Sequence, residues 1–506
     1  MLRKIRILAA AFCFIAVSLL FLDFTGTLHR FLGWLAKIQF LPALLALNLV
    51  VVIVLALVTL VFGRVYCSVI CPLGVFQDVV SWFSARRKKF RARFSWSKEK
   101  KWLRYGVWAL FVIALVAGVQ AFVALLAPYS AWGRIVQNLF QPLYIWCNNF
   151  FAWISERAGS YAFYSKEVWL RSLPTFIIAA ATFAGVAFLA WKHGRTWCNT
   201  VCPVGTTLSF LSRFAMFRPV IDADKCRNCK MCERKCKASC IDIDNHRIDY
   251  SRCVDCFDCL DSCKFSALEY RFAWNSGKKE AVPAAESKAG DNSRRAFIAS
   301  SAMVAGAMTL EAQEKKLDGG FATILDKKIP ERTLPIAPFG AESAKVFYSK
   351  CTGCQLCVAA CPNNVLRPST DLNRLMQPEM SYERGFCRPE CTRCSEVCPS
   401  GAIVRITPEE KTSYKIGTAH IEYSLCITSD GTNCGNCSRH CPTMAIQMVH
   451  KDPSDEDSIL IPVVVEENCI GCGACENLCP SRPISAITVN GIEAPYKRDI
   501  SSTMLQ

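Results

Sequence analysis

The sequence predicts a multi-domain chain. An α-helical membrane domain of four helices, with a fifth crossing at an internal signal, carries two α+β ferredoxin-like iron–sulfur domains. Three observations predict it. Of 31 cysteines in 506 residues, 24 fall into six tight quartets, and four more into two near-identical short motifs. Apolar residues make up 52% of the chain, and mean hydropathy is positive. Four long apolar segments precede the first quartet. Quartets this dense read as cluster ligands rather than a disulfide framework. Only Cys13, Cys147 and Cys240 stand outside the patterns.

The membrane domain spans 1–220. Its apolar segments are Ile5–Leu22, Phe40–Phe62, Trp102–Ala127 and Leu173–Trp191. A spanning helix needs about 20 apolar residues, and the second and third segments meet that most comfortably. Pro128 closes the third, and Pro174 sits in the first turn of the fourth, where proline is tolerated. Basic residues mark one face: Arg3, Lys4 and Arg6, then ten Lys and Arg between Arg86 and Arg104, then Lys192 and Arg195. With four helices all three groups lie on one side, which the positive-inside rule makes cytoplasmic. The long connection between the third and fourth helices carries twelve aromatics from Tyr129 to Trp169. It reads as an interfacial belt or as part of a quinone pocket.

Residues 63–74 read GRVYCSVICPLG and residues 194–205 read GRTWCNTVCPVG. Each follows an even-numbered helix, so the domain looks like a duplicated two-helix unit with both motifs at one face. Cys67, Cys71, Cys198 and Cys202 can then converge on one cofactor site. Arg64 and Arg195, three residues before the first thiols, favour thiolate there. A bound iron–sulfur cluster, another metal such as copper, and a redox-active thiol pair all stay open.

Residues 221–271 read as a cytoplasmic two-cluster ferredoxin. CRNCKMCERKC and CVDCFDCLDSC are both C-x2-C-x2-C-x3-C. In such pairs each motif lends its fourth cysteine to the other. Cys226, Cys229, Cys232 and Cys263 are expected to hold one [4Fe–4S] cluster, and Cys253, Cys256, Cys259 and Cys236 the other. Zinc fits poorly, because it favours paired C-x2-C knuckles. Lys237 and Lys264 replace the proline that usually follows the fourth cysteine. Cys240 is a substitute ligand or an inert thiol.

A polar linker covers 272–292. Residues 293–312 hold SRRAFIASSAMVAGAM, the pattern of a twin-arginine export signal, through Ser293, Arg294, Arg295, Phe297 and Ile298. Its apolar run is short for a span but suits a signal; we expect it to be retained as an anchor. A second linker covers 313–342. Residues 343–506 form a periplasmic four-cluster domain, with quartets Cys351, Cys354, Cys357, Cys361; Cys387, Cys391, Cys394, Cys398; Cys426, Cys434, Cys437, Cys441; and Cys469, Cys472, Cys475, Cys479. Extra residues enlarge only the first gap of the second and third quartets. Spacing leaves two pairings open: first with fourth and second with third, or neighbours with neighbours.

The formal charge of +17 does not point to nucleic acid. A [4Fe–4S] cluster on four thiolates carries roughly −2, so six add about −12. No G-x-G-x-x-G follows a strand, so a nucleotide cofactor is not indicated.

Together the halves resemble accessory ferredoxins of periplasmic nitrate reduction. Residues 1–271 resemble NapH and MauN, residues 293–506 resemble NapG and MauM, and the chain resembles a NapH–NapG fusion. The resemblance implies a multi-pass quinol dehydrogenase of the cytoplasmic (inner) membrane, serving anaerobic respiration. Menaquinol or ubiquinol from the quinone pool would be its substrate, and a periplasmic reductase or cytochrome its partner. Similar modules accompany nitrous oxide reductase and methylamine systems, which leaves the terminal partner open. The alternative is a maturation or redox-maintenance factor for a periplasmic metalloenzyme. In either case two quartets face one compartment and four the other. No sequence feature supplies a relay across a hydrocarbon core about 30 Å thick.

Overall fold

The computed structural model describes residues 1–23, 26–86, 94–161, 163–273, 325–455 and 457–497. The twin-arginine stretch, residues 274–292 of the first linker and residues 313–324 of the second lie outside the described residues.

Helices Leu2–Leu22 and Leu173–His193, 21 residues each, are long and apolar enough to cross a membrane by length and composition. The two segments expected to span most comfortably are broken instead. Phe40–Phe62 divides into Phe40–Leu45 and Leu49–Phe62. Between them Leu47 takes a φ of 53°, and the Asn48 side chain caps the second piece by accepting from the Val51 N–H. One asparagine in an apolar run is a weak hydropathy signal but a strong cap. Trp102–Ala127 divides at Gly118, φ 78°, into Lys101–Val116 and Gln120–Leu126. Glycine takes that left-handed bend without steric cost.

Pro128 then opens helix Pro128–Ile135, with proline in the first turn. The expected aromatic loop is therefore mostly helical, continuing through a π-helical turn Val136–Phe140 into helix Gln141–Arg157. Tyr129 and Trp132 enter the core, whereas Trp146, Phe150 and Trp153 stay outside. The belt reading fits the outer three; the buried two do structural work.

The two long helices and the two divided segments run between the same two ends. At one end the Arg3 guanidinium pairs with Asp258 and Asp261, the Met216 N–H donates to the Leu60 carbonyl, Arg104 donates to the Ser251 carbonyl, and the Arg195 N–H donates to the Lys237 carbonyl. All of these contacts hold residues 216–273. At the other end Arg134 donates to the Gly353 carbonyl, Arg171 to the Val358 carbonyl, and Gly401 lies against Ala46. The two ferredoxin modules thus sit at opposite ends of the helical domain. The basic flanks do more than mark a face: they dock the first module. Trp96 joins them, its N–H donating to Glu233.

The first module closes with Phe217–Ile221 antiparallel to Leu268–Phe272, and a short ladder Ile241–Asp242 with Arg247–Ile248. The C-terminal module has Tyr414–Ile421 against Ile487–Lys497, Ile446–His450 against Leu460–Val464, and Leu366–Pro368 against Pro378–Met380. Apolar packing is continuous from the helical domain into the C-terminal module, through Val17, Phe21, Tyr129, Leu356, Val358 and Tyr382. Burial of that kind fixes the mutual position of the two.

Candidate metal centres

The ferredoxin loops follow one local design. After the second cysteine the chain enters the left-handed region and then makes one helical turn carrying the third. Lys230 (φ 55°), Phe257 (60°), Gln355 (64°), Gly435 (98°) and Gly473 (78°) stand at that position. For a side-chain-bearing residue this costs roughly 1–2 kcal/mol. The return is a concave row of backbone N–H groups, an anion-binding nest of the type found at iron–sulfur sites. The quartet with one added residue departs: Thr392, before the turn Arg393–Val397, has φ −115°.

Tertiary folding brings the fourth thiols in. Cys236, Cys253, Cys256 and Cys259 line one pocket of the first module. Cys226, Cys232 and Cys263 share its small core, and Cys232 lies within electrostatic reach of Cys229. Cys236 of the first motif is thus gathered with the first three thiols of the second. In the C-terminal module, Cys361 joins Cys387, Cys391 and Cys394 in one pocket. Cys398 in turn acts electrostatically on Cys351, Cys354 and Cys357. Cys441 lines a pocket with Cys469, Cys472 and Cys475, and Cys479 one with Cys426, Cys434 and Cys437. Of the two pairings left open, neighbours pair with neighbours.

The surroundings fit anionic clusters. Burial pushes the Cys354 and Cys387 thiols up to about 11 and Cys472 up to about 12, so thiolate there needs a metal's positive charge. The Lys411 ammonium is 1% exposed and donates to Cys387 Sγ at 3.1 Å and to the Arg388 and Cys391 carbonyls. Arg134, fully buried, donates to the Ala124 and Gly353 carbonyls beside Cys354. Among the described residues neither has a carboxylate at ion-pair distance. A buried cation is held only with counter-charge, and a loaded cluster supplies it.

Sequence reasoning passed over Lys411, which sits in the unremarkable stretch PEEKTS. It also left Cys240 undecided. Cys240 lies 3.5 Å from Cys236, sulfur to sulfur, and hydrogen-bonds Cys253 as well. The hydrogen bond between Cys240 and Cys236 brings the Cys236 thiol down to about 7. Cys240 is thus no bystander: it stands in hydrogen-bond contact with two sulfurs of the quartet and has one S–H to share between them. The lysine in place of proline is explained too. Lys237 pairs with Asp258 at 2.8 Å and Asp78 at 3.5 Å, joining the first module to the helical domain.

In the helical domain Cys67, Cys71, Cys198 and Cys202 are each 4% exposed, and the two pairs lie within electrostatic reach of each other. The motifs clasp crosswise. Arg195 of the second donates to the Cys67 carbonyl at 2.6 Å; Arg64 of the first donates to the Gly205 carbonyl at 3.0 Å and Asn199 Oδ1 at 2.6 Å. The closing glycines are sterically required. A Cβ on Gly74 would lie 2.2 Å from the Cys67 carbonyl oxygen, and one on Gly205 2.5 Å from that of Cys198. Among the described residues no three His, Cys, Asp or Glu side chains close on a single metal ion.

Comparison with known proteins agrees with this division. A family described as a 4Fe-4S binding domain matches residues 44–91 and 173–220, the two copies of the helix-and-motif unit. A 4Fe-4S dicluster domain matches 350–402 and 431–482. The chain is 30% identical over 168 residues to the methylamine utilization ferredoxin-type protein MauM of Paracoccus denitrificans, covering 32% of this chain and 75% of that protein. It is 30% identical over 153 residues to the ferredoxin-type protein NapG of Haemophilus influenzae, covering 28% of this chain and 53% of that protein. The chain therefore spans about half the length of that NapG. An uncharacterized protein of Methanocaldococcus jannaschii is 25% identical over 237 residues, which are 46% of this chain and 72% of that protein. No solved structure matches. With its paired quartets, its anion nests and the MauM likeness together, the chain belongs to the family of ferredoxin-type iron–sulfur electron-transfer proteins that MauM represents.

Proposed function

We propose that this protein is a membrane-bound electron conduit that oxidises a quinol and delivers single electrons to a redox partner on the far side of the membrane. The observation that carries the reading is the placement of the two ferredoxin modules at opposite ends of one helical domain. Between them the helices expose a girdle of large apolar side chains, including Leu8, Phe12, Ile15, Leu49, Ile53, Ile113 and Phe188. A patch that size points to lipid. The basic end binds the first module, which supports a cytoplasmic side for it and a periplasmic side for the C-terminal module.

The 24 ferredoxin cysteines would hold six [4Fe–4S] clusters, which supply one-electron chemistry when bound. The chain's own residues do the rest. The nests and buried cations offset cluster charge, the crosswise arginines hold the helical domain closed, and Lys237 with Asp78 fixes the first module on it. The quinol's two electrons leave singly, and its protons leave to solvent.

The test uses the full chain in liposomes. Addition of a menaquinol or ubiquinol analogue should bleach the cluster absorbance. Lack of electron exchange with any quinone overturns the reading. A deletion strain whose periplasmic reductase works fully with an artificial donor supports electron supply; one whose reductase stays inactive supports maturation instead.

A further inference from the structure

We infer that Cys67, Cys71, Cys198 and Cys202 together hold a seventh [4Fe–4S] cluster, and that this cluster, with Tyr66 and Tyr129, links the first ferredoxin module to the C-terminal one. The outlet at the C-terminal module rests on the function proposed above; the site itself does not.

Ligand number comes first. Each of the two matched segments contains two cysteines, half of what a cubane takes. The crosswise arginine contacts bind the halves into one buried unit, in which the four thiols lie within electrostatic reach of one another. Cys71 and Cys202 stand immediately before helices Pro72–Ala85 and Pro203–Ser212, whose positive ends face the sulfurs. The Gly205 N–H donates to Cys202 Sγ at 3.4 Å, and Gln77 Nε2 donates to Cys198 Sγ at 3.2 Å. Donors aimed at sulfur are what a cluster's thiolates require.

Charge comes second. Arg64 is fully buried, and its guanidinium donates only to neutral acceptors: the Cys253 and Gly205 carbonyls and Asn199 Oδ1. The neighbouring carboxyl, Asp255, takes the Arg64 backbone N–H instead. Arg6 and Arg195 both turn to one carboxylate, Asp78, which Lys237 shares at 3.5 Å while pairing with Asp258 at 2.8 Å. Positive charge around the thiols therefore exceeds negative charge from the chain, in a place water does not reach. An anionic four-thiolate cluster balances it.

Position comes third. The guanidinium that reaches the second motif also donates to the Cys253 carbonyl at 2.9 Å, so one side chain connects this site to the first module. In the other direction Tyr66, next to Cys67, is 2% exposed and hydrogen-bonds Gln39 at 3.0 Å and the Phe40 N–H at 3.2 Å. Tyr129 is equally buried, has no hydrogen-bond partner for its hydroxyl among the described residues, and lies within electrostatic reach of Tyr66, Cys354 and Cys398. Four residues on, Gly133 packs so tightly that a Cβ would stand 2.4 Å from the Cys354 carbonyl oxygen. Tyr66, Cys67, Cys71, Cys202, Tyr129 and Cys354 thus belong to one continuous buried core, and Arg64 ties its motif to Cys253. One electron moves per step: the donor site is oxidised, the acceptor site reduced, and no bond forms or breaks.

The test uses the full chain, purified without oxygen. Iron and acid-labile sulfide should approach about 28 of each per chain rather than about 24. The quadruple variant C67S/C71S/C198S/C202S should lose about four of each. In liposomes with the first module outward, dithionite, which does not cross the bilayer, should reduce the C-terminal clusters, read by electron paramagnetic resonance. The quadruple variant should slow that step at least tenfold. Tyr129→Leu should slow it too, with iron unchanged. A wild-type content of about 24, or equal iron in wild type and quadruple variant, overturns the cluster. If the quadruple variant does not fold, the wild-type count decides the cluster and Tyr129→Leu decides the path. A rate unchanged in Tyr129→Leu overturns the path. Dithionite replaces quinol here, so failure of quinol oxidation leaves both readouts intact, and failure of this transfer with quinol oxidation intact sinks the relay alone.

Discussion

The Lys411 ammonium stands 3.1 Å from Cys387 Sγ, fully buried, with two carbonyl oxygens and the Phe339 ring as its other neighbours. A fixed positive charge there favours the more negative, reduced form of a cluster on Cys361, Cys387, Cys391 and Cys394. One unit charge about 5 Å away at an effective dielectric of about 20 is worth about 3 kcal/mol. Lys411→Met should therefore lower that cluster's midpoint potential by on the order of 100 mV. A redox titration followed by electron paramagnetic resonance checks it, and an unmoved potential would remove Lys411 from the cluster's electrostatics.

Cys240 offers a cleaner separation of roles. As a thiol in hydrogen-bond contact with Cys236 and Cys253, it should be dispensable for cluster retention and matter for potential. Cys240→Ala should keep full iron and shift one first-module potential downward by tens of millivolts, roughly the effect of one weak hydrogen bond. Iron loss in this variant would instead make Cys240 a ligand.

Asp78 collects Arg195 through two bonds of 2.9 and 2.7 Å, Arg6 at 2.7 Å and Lys237 at 3.5 Å. Asp78→Asn leaves three cations around a neutral amide. Breaking a buried pair from one side costs about 3–5 kcal/mol. The variant should melt earlier and release the first module to protease before the C-terminal one. Parallel loss of both modules would contradict the docking role.

Glycine in the CP-x-G motif can be tested against a glycine in open space. Gly205→Ala forces a methyl onto the Cys198 carbonyl and should cost about 1–3 kcal/mol. Gly106 has nothing within 4 Å of a built Cβ, so Gly106→Ala should be neutral or stabilising by up to about 1 kcal/mol. Thermal unfolding in one detergent compares the two.

The ferredoxin quartets were legible because a cubane takes three ligands from one tight loop, so the chemistry is written in neighbouring residues. The repeat GRVYCSVICPLG and GRTWCNTVCPVG was legible for the same reason: each copy encodes its own turn, down to the glycine. Hydropathy misled where one residue outweighed many. Asn48 and Gly118 interrupt helices inside apolar runs that averages call continuous. By itself the sequence determined the cysteine quartets, the duplicated unit, and the basic flanks. Only the tertiary structure decided that neighbouring quartets pair, that Arg64 and Arg195 cross between motifs, that Lys411 and Arg134 face thiols, and that Tyr129 stands between the helical domain and Cys354. Those relations join residues far apart in the chain, held by burial and charge balance. Local spacing carries no record of either.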